Sequence, residues 1–166
     1  MKVLKFGGKS LANGKGLETV LSIIIEGQEI AVVVSARDKA TDQLESMLER
    51  AAGGEDISDD FSAFKQYQLA GEDIDFSEEF SVLQRIFDGV SLLGDYNDKI
   101  KDNTLAQGEV LSAKYVAHLL RKRGIQAAFA DSRQFYVTNS LFGNAQLQEE
   151  ASHRRTLDYF AQFPKG

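Results

Sequence analysis

The sequence of 166 residues contains no cysteine, no tryptophan, a single proline and only two histidines. Without cysteine the chain can form no disulfide, and it offers neither a thiolate nucleophile nor a cysteine-bound metal. The two histidines, His118 and His153, are too far apart in sequence to form the short-spaced pairs that zinc sites use. No metal site is therefore predicted.

Long apolar runs are also lacking. Residues 30–34 form one of the longest apolar stretches, and it is far too short to cross a bilayer. The first residues show no apolar run of the secretory type. The net charge of −6 argues against a general binder of nucleic acid or of anionic membranes. We therefore expect a cytoplasmic protein whose partners include neither nucleic acid nor a membrane.

Apolar residues make up 43% of the chain, which is enough to bury a core, and the length suits one domain. Charge is unevenly spread. Residues 1–17 hold four lysines and no acidic residue, whereas residues 42–80 hold twelve acidic residues against two basic ones. The acidic stretch is most simply a solvated face. The basic segment contains glycines, and such a cluster suits an anionic ligand.

The hydrophobic pattern predicts an α/β fold. Residues 2–6 and the β-branched run at 30–35 read as parallel strands joined by a helix over 14–26, which Gly27 ends. The second strand reads as covered on both faces. Further predicted elements are helices over 42–52 (capped by Thr41), 61–69, 76–101, 103–123 (capped by Asn103 and ended by Gly124) and 146–160, and strands over 125–130 and 135–139.

The segment at residues 5–10 carries the strongest chemical signal. Lys5 ends a strand, Gly7 and Gly8 let backbone N–H groups turn toward an anion, and Ser10 adds a hydroxyl. The helix that follows adds its positive end. An ordinary glycine turn with surface lysines is the other interpretation. The spacing excludes a P-loop, because position 3 is valine where that motif has its first glycine.

A second polar segment, residues 35–42, follows the second strand. Ligands of open α/β sheets bind outside the carboxyl ends of strands, where these residues fall. Ser35 and Thr41 can form hydrogen bonds with a ligand, and Arg37 or Lys39 can meet an anion. The alternative is that Thr41 only caps a helix and its neighbours are solvated.

The third segment contains Gly108 and Glu109. At helical spacing Glu109 shares a mostly apolar stripe with Leu105, Ser112 and Val116. A buried carboxylate needs a cationic or multiply donating partner, and a substrate ammonium would serve. The alternative is a partly exposed glutamate near a helix N-terminus, stabilised by the helix dipole.

Together the three segments resemble the N-terminal part of aspartate kinases in the amino-acid kinase family. Lys-Phe-Gly-Gly-Lys-Ser at 5–10 matches the family's opening, with Lys9 in place of threonine. Val-Val-Ser-Ala at 33–36, Thr-Asp at 41–42 and Gly-Glu at 108–109 match its later segments. Asp131 continues the family's order. The variant at residues 5–14 is most similar to bifunctional aspartokinase/homoserine dehydrogenases.

The resemblance implies a three-layer αβα fold and ATP-dependent phosphorylation of the L-aspartate side chain, with ATP and Mg²⁺ as co-substrate. It implies that Lys5 contacts the transferring phosphoryl group and that Gly7, Gly8 and Ser10 bind phosphate. It also implies that Thr41 and Glu109 hold aspartate, and that the complete enzyme is a homo-oligomer.

Aspartate kinases continue well past position 166, with the nucleotide-binding half and regulatory domains. We therefore expect residues 1–166 to be the aspartate-side part of a catalytic domain, incomplete at the C-terminal side and inactive alone. The alternative is a non-catalytic small-molecule-binding or regulatory module that keeps this part of the fold.

Overall fold

The computed structural model describes residues 2–12, 14–26 and 30–162. They group into two compact units, Met1–Ala128 and Phe129–Gly166. Gly27, expected to end the first helix, lies outside the described residues. Within those residues, no helix combines the length and the apolar character that crossing a membrane requires.

The first unit contains a parallel pair of strands. Strand β1, Lys2–Phe6, pairs with β2, Ile30–Val34, so that Lys5 lies opposite Val33. Helix α1, Lys15–Ile25, lies between them in the chain. The predicted β-α-β order and the parallel pairing are therefore confirmed.

The two faces of this sheet differ. Phe6, Val32 and Val34 pack against the core. Val3 is 65% exposed and Val33 is 48% exposed on the opposite face, because side chains alternate along a strand. The expectation that β2 is covered on both faces is wrong for the described residues.

Helices form the rest of the first unit. After α1 they are α2 (Ala40–Ala52), α3 (Ser58–Leu69), α4 (Ser77–Leu93) and α5 (Asp98–Lys122). The fold is of the αβα type, with a small parallel sheet and mostly helices. The predicted fold class is therefore confirmed.

Several predicted boundaries are corrected at the start of α5. Gly94 takes the left-handed conformation with φ of 70° and ends α4, so no single helix spans 76–101. The Asn97 side chain then accepts a hydrogen bond of 3.0 Å from Ile100 N and caps α5. Asn103, the predicted cap, lies inside that helix. Gly124 follows its end with φ of 79°, as predicted.

Apolar packing fixes these helices against one another. Helix α2 packs on both α4 and α5. Phe61 of α3 contacts the Phe87 ring of α4 edge to face, with 5.4 Å between ring centroids. The elements that carry the site are thus held by a continuous core.

Eleven of the twelve acidic residues in the stretch 42–80 are exposed or half-buried, in line with the predicted solvated face. Glu79 is the exception among them. It is buried, and its Oε1 accepts a hydrogen bond from Lys114 of α5, which joins α4 to α5.

The second unit has little regular structure. Helix α6, Glu149–Phe160, is shorter than the predicted helix over 146–160. Residues 135–139 form no strand, and an isolated antiparallel bridge joins Thr138 to Leu147. Phe135 packs on the Tyr159 ring at 4.8 Å between centroids, so these aromatic side chains serve packing.

Residues 125–130, the predicted third strand, are also not a strand. Their apolar content predicts an extended chain, but a strand needs a partner for its backbone donors and acceptors. Within the described residues the sheet stops at β1 and β2.

Candidate functional site

The loops that follow β1 and β2 lie against each other. Parallel strands end at the same edge of a sheet, so the chain leaves both strands on one side. Ser35 N donates to Phe6 O at 3.1 Å, and Asp38 N donates to Gly8 O at 3.0 Å. The glycine segment and the second polar segment, predicted separately, therefore form one structure.

Gly8 is required by a close approach of two backbones. A Cβ atom at this position would overlap the carbonyl oxygen of Ala36. Gly7 differs, because a Cβ there would meet no atom within 4 Å and its φ is an ordinary −76°. Only Gly8 is therefore demanded by the packing of this turn.

Glu109 joins the same structure from α5. Its Oε1 accepts a hydrogen bond of 3.2 Å from Ala36 N. Gly108 lets α5 come close, since a Cβ there would lie 2.8 Å from Ala36 Cβ. Ala36 is thus the point at which all three predicted segments meet.

Both interpretations of Glu109 need correction. The side chain is exposed, whereas Ser112 and Val116 on its helical stripe are buried. It also lies in the interior of α5, because the helix begins at Asp98, so the dipole of the N-terminus does not apply. Glu109 is an exposed carboxylate whose orientation is set by a backbone donor.

The other predicted site residues lie on the elements next to the Ala36 contact, which we call the junction: Lys5 in β1, Ser10 in the turn after β1, and Thr41 in α2. Lys5 is exposed in β1, on the same face of the sheet as Val33. Ser10 is exposed in a 3₁₀ turn over Gly8–Leu11, and its N–H donates to Gly7 O at 3.0 Å.

Thr41 is half-buried in the first turn of α2. The helix begins at Ala40 and its N-cap residue is Lys39, so the expectation that Thr41 caps a helix from position 42 is wrong. Thr41 is therefore not the N-cap residue of α2.

Arg37 also differs from what the sequence predicts. The sequence offers Arg37 or Lys39 to meet an anion, but the Arg37 side chain is 1% exposed. Its Nη2 donates to the carbonyl oxygens of Tyr67 and Gln68 at the end of α3, the latter at 3.0 Å. The guanidinium carbon lies 4.2 Å from the Tyr115 ring centroid and 4.8 Å from that of Tyr67. No local pattern signals this, because α3 and α5 are distant in sequence.

Tyr67, whose ring contacts Arg37, has a shifted pKa. Burial raises the pKa of Tyr67, and the nearby Arg37 charge opposes that rise. Within residues 2–12, 14–26 and 30–162, no group of three or more histidine, aspartate or glutamate side chains is placed to hold a metal ion.

A cleft of about 500 Å³ lies elsewhere, between the end of α2 and helices α3 and α4. None of the six predicted site residues is among its described lining, which includes Glu55, Asp56 and Lys65. The three converging segments define the candidate site better than this cleft does.

Comparison with known proteins shows the family to which the chain belongs. The sequence model of the amino acid kinase family matches residues 1–159. The chain belongs to the amino acid kinase family. Among curated members, it is 32% identical over 166 residues to aspartokinase 3 of Bacillus subtilis. It is 23% identical over 171 residues to the chloroplastic bifunctional aspartokinase/homoserine dehydrogenase 2 of Arabidopsis thaliana.

Solved structures of this family share the fold. Aspartokinase III of E. coli in complex with aspartate and ADP superposes with a TM-score of 0.83 over 98% of this chain, at 22% identity. The same enzyme in complex with lysine and aspartate gives 0.81 over 97% of the chain, at 23% identity.

The chain spans only part of these family members. It covers 36% of the Bacillus aspartokinase and 19% of the Arabidopsis bifunctional protein. It covers 38% of the E. coli aspartokinase III chain.

Proposed function

We propose that this protein takes part in the transfer of the γ-phosphoryl group of ATP to the side-chain carboxylate of L-aspartate, which gives β-aspartyl phosphate. The observation that carries the proposal is the meeting of the Gly8 turn, the Ala36 loop and Glu109 at the ends of two parallel strands. Family membership and the similarity to aspartokinases support the same reaction.

The proposed phosphoryl contacts come from the first loop. Lys5 is an exposed cation two residues before Gly7, and neither Gly7 nor Ser10 is buried. Phosphoryl transfer depends mainly on positioning and on neutralising charge, and needs no protein nucleophile. We assign Lys5 to the transferring group, and Gly7, Gly8 and Ser10 to the phosphate.

The proposed aspartate contacts come from α2 and α5. Ala36 N holds Oε1 of Glu109, so the carboxylate has a defined orientation and its other oxygen can accept from an ammonium group. Thr41, in the first turn of α2, supplies a hydroxyl that can bind the same substrate.

We propose that these 166 residues form the aspartate-side part of the catalytic domain and that the nucleotide-binding half lies outside them. The share of each relative that the chain covers supports this. We propose that the whole protein uses ATP together with Mg²⁺. The described residues offer no cluster of ligands for the ion.

We also propose a cytoplasmic homo-oligomer. A chain without cysteine forms no disulfide, which is compatible with a reducing compartment such as the cytoplasm. The exposed Val3 and Val33 offer an apolar surface on one face of the sheet that another subunit can cover. Sedimentation of the full-length protein measures the oligomeric state.

An aspartyl-hydroxamate assay tests the proposed reaction. Residues 1–166 are compared with the product of the whole reading frame, with ATP and L-aspartate present. We expect activity only in the longer protein, because both reactants must be fixed in line and proximity contributes roughly 7–11 kcal/mol to lowering the barrier.

Two other results would change the proposal. Comparable activity in both proteins would show that residues 1–166 hold the whole catalytic machinery. Inactivity of both, with L-aspartate still bound in calorimetry, would favour a non-catalytic small-molecule-binding or regulatory module.

A further inference from the structure

Arg37 is among the largest side chains that the fold buries completely. Among the residues that the structure describes, its Nε and Nη1 find no hydrogen-bond acceptor. A buried cation is costly unless it is paired, and a buried donor without an acceptor is rare in a native protein. The position of this residue therefore calls for a physical reason.

The guanidinium is held by groups other than a carboxylate. The carbonyl oxygens of Tyr67 and Gln68 lie at the negative end of α3 and accept from Nη2. The rings of Tyr67 and Tyr115 present their faces to the cation. A planar guanidinium can stack on an aromatic ring, whereas the compact ammonium of a lysine cannot.

The backbone of the same loop holds the candidate site. Ala36 N donates to Glu109, and Asp38 N donates to Gly8 O. Asp38 takes a left-handed φ of 52°, which costs conformational energy for a residue other than glycine. The side chain that lies between these two backbone donors in sequence is Arg37.

We infer that Arg37 is a positioning residue: it anchors the loop to α3 and α5, so that Ala36 N–H holds the Glu109 carboxylate in one orientation. The positioning of Glu109 by Arg37 is inferred from the geometry alone, while its consequence for aspartate binding rests on the proposed function. Arg37 touches no substrate in this assignment and acts through Ala36.

Hydrogen–deuterium exchange of the Ala36 amide in the full-length protein tests the geometry. We expect Arg37→Met to speed that exchange at least tenfold, and Arg37→Lys to give an intermediate value. Arg50→Met is the matched control, because Arg50 forms ion pairs with Glu55 and Asp60 on the surface and should leave Ala36 unchanged.

A double-mutant cycle separates positioning from general loosening. In Glu109→Ala the Ala36 amide has lost its side-chain acceptor, so adding Arg37→Met should speed exchange little further. An unchanged Ala36 amide in folded Arg37→Met, or an equal acceleration in both backgrounds, would overturn the inference. If Arg37→Met does not fold, Arg37→Lys and Tyr115→Leu are put through the same cycle.

Kinetics of the full-length protein connect the geometry to the reaction. We expect Arg37→Met to raise the KM for aspartate about tenfold and to change kcat and the KM for ATP less than twofold. If Ala36 exchange accelerates but neither Arg37→Met nor Glu109→Gln changes the KM for aspartate, the positioning of Glu109 stands and the proposed aspartate site is wrong.

Discussion

The loops after β1 and β2 lie side by side, yet they are built in opposite ways. The first has two glycines and leaves Gly7 and Ser10 exposed, and Lys5 is exposed in the strand that leads into it. The second buries Ala36 and Arg37 and is anchored to α3 and α5. The exposed first loop is consistent with the proposed ligand contacts, and the buried second loop with the proposed positioning of Glu109.

Replacing Lys5 gives the largest expected effect, because it removes the only side-chain cation that we assign to the first loop. Lys5→Ala should lower kcat of the full-length protein by about 10²–10³, as loss of a preorganised charge-stabilising donor does. Steady-state kinetics measure it. Lys2→Ala, also exposed in β1, is the matched control and should keep kcat. Full turnover in Lys5→Ala would leave Lys5 a surface residue.

Glu109→Gln tests the carboxylate that the second loop orients. Glutamine keeps an oxygen for Ala36 N but loses the charge that faces an ammonium, which costs about 1.5–3 kcal/mol. The KM for aspartate should therefore rise about 10- to 150-fold, with the KM for ATP little changed. Asp98→Asn at the start of α5 is the control. Unchanged aspartate kinetics in Glu109→Gln would contradict the assignment.

A matched pair of glycine substitutions tests how the two loops touch. Gly8→Ala places a Cβ against the carbonyl oxygen of Ala36, whereas Gly7→Ala meets open space. We expect Gly8→Ala to lower the free energy of unfolding by about 1–3 kcal/mol, as overpacking does, and Gly7→Ala to change it little. Urea denaturation measures both. Equal stability of the two variants would show that the loops are not in close contact.

Acid should slightly lower the free energy of unfolding, because it weakens the link between α3 and α5, the helices that anchor the second loop. This is the smallest expected effect. A hydrogen bond from Lys122, and then one from His118, lower the pKa of Glu72, which follows α3 and ties it to α5. Because the pKa of Glu72 is lower in the folded protein than its value of 4.5 in the unfolded chain, the charged carboxylate stabilises the fold at pH values above 4.5. This stabilisation is lost as the pH falls from 4.5 through the lowered pKa.

Denaturation of wild type and Glu72→Gln, from neutral pH to below 4.5, measures this contribution. The variant should be slightly less stable near neutral pH, and the difference should shrink on acidification. A difference that is constant with pH would show that the Glu72 charge contributes nothing.

The sequence by itself determined some of the local elements and the chemical segments. Apolar periodicity sufficed for α1 and the two parallel strands, because these patterns depend on neighbours along the chain. Glycine placement also sufficed for the end of α5 at Gly124. The three segments were recognisable because glycines, lysine and glutamate carry their chemistry wherever the fold places them.

Only the tertiary structure decided how these pieces meet. The contact of Ala36 with Gly8, Gly108 and Glu109 joins residues up to 101 positions apart, and no local pattern encodes such a distance. The burial of Arg37 depends on Tyr67 and Tyr115, which are brought together by helix packing. Residues 125–130 have the composition of a strand but no partner within the described chain, because pairing is a property of two segments and not of one.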